Sequence, residues 1–268
     1  MARVTVADLM LLKQQRKKII AMTAYDFEMA RIVERAGADA ILVGDTGARF
    51  ALGSDDVEAT MDEMILLARS VSRAAKRVMV VADMPFMSYQ VSFEQAIANA
   101  GRFLKEAKAD AIKVEGGEDF APTVRAIVKM GIPVMGHVGL TVQTALAYGG
   151  NYNDKNASVT NEQIRRDALA MQAAGCFAVV LTKVPADYAR ELTAELTIPT
   201  LAGGGAGDDC DGQVCVIHSA LGLSASAIDA PSTGYGPLSK TIYDTMKQFC
   251  DDVRSGKPVR TVREKTPA

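Results

Sequence analysis

Short apolar runs alternate with amphipathic segments along nearly the whole chain. A run such as AILVG at 40–44 contains no polar side chain, which is typical of a strand buried on both faces. The segments between such runs carry apolar residues three and four positions apart, which indicates helices. Eight strands are predicted within residues 18–23, 40–45, 78–83, 111–117, 133–139, 177–185, 198–213 and 214–222.

The alternation of strands and helices predicts a parallel sheet, and eight such units predict a closed (β/α)8 TIM barrel. A doubly wound sheet is the alternative, because the last two strand candidates lie close together. Residues 5–16 form an amphipathic segment, which we expect to cover one end of the barrel as a helix. The composition does not shift along the chain, so residues 1–268 are predicted to form a single domain.

Composition and charge narrow the class of protein. The chain has 49% hydrophobic and 23% charged residues and a formal net charge of −2, so it offers no basic surface for nucleic acid or an anionic membrane. Its four cysteines lack the CxxC spacing of a zinc site, which favours reduced thiols. The N-terminus has no secretory pattern and no apolar run is long enough to span a membrane, so we expect a cytoplasmic protein.

Charged residues fall at the ends of several predicted strands. Asp45 and Asp83 end two apolar runs, Lys113 and Glu115 lie in the fourth strand, and His137 lies in the fifth. Because the carboxyl ends of barrel strands meet at one face, we expect these side chains to converge there. Carboxylates with few histidines predict a hard cation, Mg²⁺ before Zn²⁺. Such an ion would hold a 2-oxo acid through its oxygens and stabilise an enolate.

Each of these residues also has a simpler structural interpretation. Asp45 or Asp83, taken singly, is equally well explained as the N-cap of the following helix. Lys113 and Glu115 are two residues apart on a strand and point the same way, which also fits a buried ion pair. His137 in isolation fits a hydrogen-bonded core histidine. The acids taken together favour the ligand interpretation.

Six longer stretches carry a more specific signal. They are MTAYD at 22–26, ILVGD at 41–45, VVADMPFMSYQ at 80–90, NAGRFLKEAKADAIKVEGG at 99–117, GIPVMGHVGLT at 131–141 and CDGQVCVIHSALGL at 210–223. Together they resemble the 3-methyl-2-oxobutanoate (ketopantoate) hydroxymethyltransferases, and the likeness spans nearly the whole chain.

The resemblance implies a barrel of the phosphoenolpyruvate and isocitrate-lyase type that works in pantothenate biosynthesis. It also implies Mg²⁺, 5,10-methylenetetrahydrofolate as co-substrate, and a homo-oligomer, by family a decamer. Matching the motifs makes Asp45, Asp83 and Glu115 the acids of the metal site. The same matching makes Thr46, Lys113 and His137 contacts of the 2-oxo acid, beside Asp45 and Asp83. The predicted catalytic residues are Lys113, Glu115, His137 and Lys183.

One departure from the family affects the residue that accepts the proton. The family's sixth strand ends in Leu-Glu-Cys-Val-Pro, whose Glu is the proton acceptor, whereas residues 181–185 read LTKVP here. A hydroxyl at Thr182 is too weak a base near neutral pH to replace a carboxylate unaided. Three groups are candidates to take over proton transfer: Lys183 with a lowered pKa, Glu115, or a metal-bound water.

Loops near the predicted site depart as well, at residues 47–48, 54–59, 149–155, 203–207 and 231–233. The glycines at 203–205 indicate a close approach of backbone to ligand. The acids are retained while the base is altered. This combination favours a paralogue with a changed substrate over random loss of the active site, because such a loss would also remove the costly buried acids.

The leading hypothesis is therefore a Mg²⁺-dependent enzyme that forms a C–C bond next to the carbonyl of a 2-oxo acid, of the type that converts 3-methyl-2-oxobutanoate to ketopantoate. One alternative is a lyase or hydrolase acting on another small 2-oxo or dicarboxylic acid. The other is a non-catalytic paralogue that binds a 2-oxo acid.

Overall fold

The computed structural model describes residues 2–150, 152, 158–230 and 234–258, and its eight strands close into a barrel. Each strand pairs in parallel with the next, and the last pairs with the first through Ile19 and Gly212. This confirms the (β/α)8 prediction and excludes the doubly wound sheet, because an open sheet would leave both edge strands unpaired. The strands are β1 Ile19–Thr23, β2 Ala40–Val43, β3 Met79–Asp83, β4 Ala111–Glu115, β5 Val134–Gly139, β6 Ala178–Thr182, β7 Thr200–Ala202 and β8 Gly212–Cys215.

Helices lie between most of these strands, and several of them begin at side-chain caps. Ser92 accepts a hydrogen bond from the Gln95 N–H at 3.2 Å, and Thr60 caps its own helix through Glu63. Gly37 and Gly175 end their helices in the left-handed conformation. The helices are α1 Val6–Gln14, α2 Phe27–Ala36, α3 Met61–Ala74, α4 Phe93–Arg102, α5 Ala121–Lys129, α6 Asn161–Ala174, α7 Ala186–Glu195, α8 Ile217–Ala220 and α9 Leu238–Arg254.

The amino-terminal helix packs into the barrel core. Leu9 of α1 is fully buried in one cluster with Ile19 of β1 and Leu201 of β7, and Val6 and Leu12 pack against the same cluster. These apolar contacts hold α1 against the strands. The predicted covering helix at 5–16 is present, with Thr5 as its N-cap.

The eighth strand lies earlier in the sequence than predicted. The run 214–222 was expected to be a strand because of its apolar residues, but β8 spans Gly212–Cys215 and α8 follows at Ile217. Gly212 explains the shift, since a Cβ there would lie 2.2 Å from the backbone oxygen of Ile19. Only glycine therefore lets this strand pair closely with β1.

The chain divides into two compact units, residues 1–215 and 216–268. All eight strands belong to the first unit, and α8 and α9 belong to the second. The single-domain description of residues 1–268 stays a prediction. Among the described residues, no helix is both long and apolar enough to cross a membrane. The departures noted at 153–155 and 231–233 lie outside the described residues.

Candidate functional site

Strand register brings the predicted site residues together at the carboxyl ends of β3, β4 and β5. Asp83 lies opposite Lys113 across β3 and β4, and Glu115 lies opposite His137 across β4 and β5. Because Lys113 and Glu115 are two residues apart, both point to the same side of their strand. All three charged strand residues, Asp83, Lys113 and Glu115, are buried.

Lys113 is the central cation of this cluster. Its Nζ lies 3.0 Å from Asp83 Oδ2 and 3.5 Å from Glu115 Oε1, so the shorter ion pair joins neighbouring strands. The same Nζ lies 3.1 Å from Nδ1 of His137. The buried ion pair considered from sequence exists, but it forms one part of a larger polar network.

Asp45 joins the cluster from the loop after β2. Its backbone N–H donates to Asp83 Oδ2 at 3.2 Å, and its side-chain Oδ2 accepts from Gln143 Nε2 at 3.0 Å. Neither Asp45 nor Asp83 caps a helix with its side chain, because the helical turn Ala48–Leu52 after Asp45 has no side-chain cap and Ser92 caps the helix after Asp83. Both carboxylates are thus directed into the site.

His137 connects the acidic cluster to the end of β6. Its Nδ1 lies 3.0 Å from Glu115 Oε1, and its Nε2 lies 2.7 Å from the hydroxyl oxygen of Thr182. Thr182 is 3% exposed, so the position where the family carries its Glu does lie inside the site. Gly203 borders it, and a Cβ there would come 2.3 Å from Thr182 Oγ1.

Burial and crowding of charge shift the carboxyl pKa values in opposite directions. Burial, reinforced by the charges of Glu115 and Asp83, raises the pKa of Asp45 well above its usual range. Burial also raises the pKa of Asp83, although Lys113 opposes the shift. Glu115 is different: burial would raise its pKa, but His137 and Lys113 outweigh burial and hold the pKa below its usual range. Glu115 is therefore the acid whose charge the protein itself balances.

Lys113 remains a cation although it is buried. Burial by itself would lower the pKa of its ammonium group, but the carboxylates of Asp83, Glu115 and Asp45 raise the pKa instead. With its acids ionised, the cluster holds three carboxylates against one ammonium group.

Two residues of the site were not predicted from sequence, Gln143 and Tyr89. The Gln143 side chain binds Asp45 and the Met84 carbonyl, while its backbone N–H donates to Glu115 Oε2 at 3.0 Å. Tyr89 is 1% exposed, and its hydroxyl lies 2.8 Å from the Glu115 carbonyl oxygen and 2.7 Å from Gln143 Oε1, two acceptors that share its single proton. Tyr89 lies inside the family-like stretch at 80–90, whereas Gln143 lies two residues beyond the stretch at 131–141, and no periodic pattern marked either side chain.

Lys183 and Thr46 make different contacts from the central acids. Lys183 is exposed, donates to the Tyr152 carbonyl at 2.6 Å and lies 4.5 Å from the centre of that ring. It lines a cavity of about 490 Å³ with Tyr152, Val184, Pro185, Gly204 and Gly205. Thr46 Oγ1 lies 2.6 Å from the hydroxyl of Tyr25, whose pKa burial raises to about 12. Lys183 thus faces this cavity rather than the acid cluster.

The carboxylates of the cluster are the candidate ligands for a cation. Within the described residues, no group of three or more His, Cys, Asp or Glu side chains is arranged to hold a metal ion by itself. Lys113 and Gln143 occupy oxygens of all three acids. Asp83 Oδ1, however, is buried without a hydrogen-bond partner. A buried carboxylate oxygen with no partner costs free energy unless a ligand satisfies it, so the site fits a cation held by two acids.

The sequence matches one protein family over almost its full length. The profile of the family described as ketopantoate hydroxymethyltransferase matches residues 3–258. A 3-methyl-2-oxobutanoate hydroxymethyltransferase from Pelobacter propionicus is 47% identical over 255 residues, which cover 95% of this chain and 94% of the relative. The enzyme of the same name from Moorella thermoacetica is 47% identical over 257 residues, covering 96% and 95%.

Solved structures share the fold at much lower identity. A phosphoenolpyruvate phosphomutase from Streptomyces platensis superposes with a TM-score of 0.66 at 19% identity, covering 94% of this chain and 88% of that one. A phosphonopyruvate hydrolase solved with oxalate and Mg²⁺ has a TM-score of 0.62 at 16% identity, covering 100% and 92%. These neighbours confirm the predicted (β/α)8 barrel fold.

Proposed function

Because this chain belongs to the ketopantoate hydroxymethyltransferase family, we propose that it transfers a hydroxymethyl group to 3-methyl-2-oxobutanoate. The new C–C bond forms at C3, the carbon next to the carbonyl, and the product is ketopantoate. The one-carbon donor is 5,10-methylenetetrahydrofolate. The names of the relatives support the substrate, and the acid cluster supports the chemistry.

The observation that carries the proposal is the charge imbalance around Asp83. Asp45, Asp83 and Glu115 surround one lysine, and the buried Asp83 Oδ1 has no partner. A divalent cation would balance the two remaining negative charges. Mg²⁺ suits the site, because in proteins it is commonly bound by one or two carboxylates together with substrate oxygens and waters.

Asp45 and Asp83 are the residues that would hold Mg²⁺. Glu115, predicted as the third acid, has His137 Nδ1 3.0 Å from its Oε1 and accepts a hydrogen bond from the Gln143 N–H on Oε2. It therefore serves to orient the imidazole and to balance Lys113. When bound, the ion supplies a Lewis acid for the carbonyl oxygen of the substrate.

The protein's own residues then bind and orient the 2-oxo acid. Lys113 carries a buried positive charge suited to the substrate's anionic oxygens. Tyr25 and Thr46 border the same end of the barrel, held by their 2.6 Å hydrogen bond. Burial of the cluster strengthens each of these interactions, since the local dielectric is low.

Hydrogen exchange at C3 tests the proposal directly. The protein is incubated with Mg²⁺ and 3-methyl-2-oxobutanoate in D₂O, and the C3 proton is followed by NMR. We expect loss of the C3 signal and collapse of the methyl doublet, with neither change in EDTA or without protein. Addition of 5,10-methylenetetrahydrofolate should then yield ketopantoate.

Absence of exchange while Mg²⁺ and the 2-oxo acid still bind would overturn the proposed function. It would leave the lyase or hydrolase and the non-catalytic binding protein as the remaining hypotheses. The cytoplasmic location and the decameric assembly also stay predictions, and analytical ultracentrifugation would test the latter.

A further inference from the structure

Three side chains form a continuous hydrogen-bonded row across β4, β5 and β6: Glu115, His137 and Thr182. We infer that the Thr182 hydroxyl is the group that takes the proton from the substrate, with His137 accepting the hydroxyl's own proton. This inference rests on the proposed function, since it concerns how the C3 proton is removed. It assigns a proton-transfer role to a residue that the sequence marked only as the loss of a base.

The distances between the three side chains are those of consecutive hydrogen bonds. Glu115 Oε1 lies 3.0 Å from His137 Nδ1, and His137 Nε2 lies 2.7 Å from Thr182 Oγ1. A hydroxyl next to an imidazole that is oriented by a carboxylate is the arrangement that activates hydroxyl groups in enzymes. Thr182 is thus aided by two other residues.

The protonation pattern of His137 follows from its neighbours. The Gln143 N–H, 3.0 Å away, holds Glu115 in place. We infer that Glu115 Oε1 accepts a hydrogen bond from an N–H at Nδ1 of the imidazole. That assignment leaves the Nε2 lone pair facing the Thr182 hydroxyl. In the other tautomer Nδ1 would accept from Lys113, 3.1 Å away, but its lone pair would then face the Glu115 carboxylate oxygen at 3.0 Å, so the acidic neighbour favours the proton on Nδ1.

The Thr182 hydroxyl has one competing acceptor, the carbonyl oxygen of Gly203. That oxygen is 3.4 Å away, beyond the usual range for a hydroxyl donor, whereas Nε2 is 2.7 Å away. Gly203 contributes mainly by its small size, because a Cβ there would meet Thr182 Oγ1 at 2.3 Å. The hydroxyl proton is therefore directed to the imidazole.

The proton transfer balances without any further reactant. The C3–H bond breaks and its electron pair becomes the C2–C3 double bond of the enolate, as the carbonyl pair moves to oxygen. The proton passes to Thr182 Oγ1, whose own proton moves to His137 Nε2, and Glu115 stabilises the resulting imidazolium. In D₂O the imidazolium exchanges with solvent, and the reverse transfer places a deuteron on C3.

Three variants of one position test the inference in the exchange assay. Thr182→Val keeps the shape but removes the hydroxyl, and we expect exchange to fall by about 100-fold or more, the usual loss for a general base. Thr182→Ser keeps a hydroxyl and should stay within about tenfold of the parent protein. Binding of Mg²⁺ and of the 2-oxo acid, measured by calorimetry on each variant, should be unchanged.

Equal exchange by the Val variant and the parent protein would overturn the relay and leave the proposed function standing. The variant Thr182→Glu shows whether the site can support exchange at all, because a carboxylate can accept the C3 proton without a relay. If this variant exchanges C3 but the parent protein does not, the relay and the proposed function of the parent protein both fail, although the site itself is competent. If neither exchanges with both ligands bound, the proposed function fails. Should the Val variant not fold, Thr182→Ala replaces it in the same comparison.

Discussion

Asp83 and Lys113 lie directly opposite each other on neighbouring strands, and the Lys113 ammonium is 3.0 Å from one oxygen of Asp83 while the other oxygen has no partner. The paired oxygen holds the lysine in the barrel. The unpaired oxygen, Oδ1, is available for a cation. One side chain thus links the packing of the strands to the chemistry of the site.

Replacing Asp83 by Asn should remove metal-dependent binding of the 2-oxo acid. The amide keeps the shape but removes one of two charges proposed to hold Mg²⁺, so we expect Mg²⁺ affinity to fall by about 100-fold, or about 3 kcal/mol. Calorimetric titration with Mg²⁺ measures the effect. Asp62→Asn is the matched control, because that side chain is 85% exposed on the surface. Unaltered binding by the Asp83 variant would defeat the idea of a shared cation.

Replacing Gln143 by Leu should destabilise the fold at the site. The change leaves the buried Asp45 Oδ2 without its donor, and leaving a buried polar group unpaired costs about 1–3 kcal/mol in the free energy of unfolding. Urea unfolding measures this difference. Gln248→Leu is the comparison, since the Gln248 side chain is exposed and its amide donates to Asp252 on the same helix at 2.8 Å, a surface hydrogen bond that leaves no buried group unpaired when it is removed. Equal losses in both variants would contradict the role given to Gln143.

Adding a methyl group at Gly203 should disturb Thr182 selectively. In Gly203→Ala the new Cβ would lie 2.3 Å from Thr182 Oγ1 and 2.6 Å from Val180 Cγ1, and such overpacking costs about 1–3 kcal/mol. We expect slower C3 exchange together with a lower unfolding midpoint. Gly101→Ala in α4 is the control, because its Cβ meets no atom within 4 Å. That helix substitution should stabilise by about 0.5–1 kcal/mol. A Gly203 variant with parental exchange would show that the close approach is not needed.

Glu34 should make the stability of the barrel depend on pH. Its Oε1 accepts backbone N–H groups of Lys76, Arg77 and Val78. Burial would raise the pKa of Glu34, but these hydrogen bonds lower the pKa below its usual value. A lowered folded-state pKa contributes stability above the unfolded value of about 4.3, and this stability is lost as pH falls through the folded value.

Glu34→Gln should therefore unfold more easily than the parent protein at pH 7, by about 1 kcal/mol, and the gap should narrow toward pH 3. Urea unfolding at both pH values checks the sign. Glu28→Gln on the same helix α2 is the control, because that side chain is 73% exposed. A gap that widens at low pH would contradict the assignment.

Much of the fold could be predicted because its signals are local. Apolar runs marked seven strands close to their observed positions, and Ser92 was recognisable as a cap from its place before α4. The eighth strand was misplaced because its position depends on Gly212 approaching Ile19, which is almost two hundred residues earlier in the sequence. Apolarity alone favoured the run that follows.

For the site, the sequence by itself determined which acids and bases are present and that Asp45, Asp83, Glu115 and Lys113 belong at strand ends, since strand alternation is a local property. It also showed that position 182 carries a hydroxyl instead of a carboxylate. Only the tertiary structure decided which of these groups are neighbours, because strand register and barrel closure set distances between residues far apart in the chain. Closure placed Gln143 on Asp45, engaged both oxygens of Glu115, and brought Thr182 within 2.7 Å of His137.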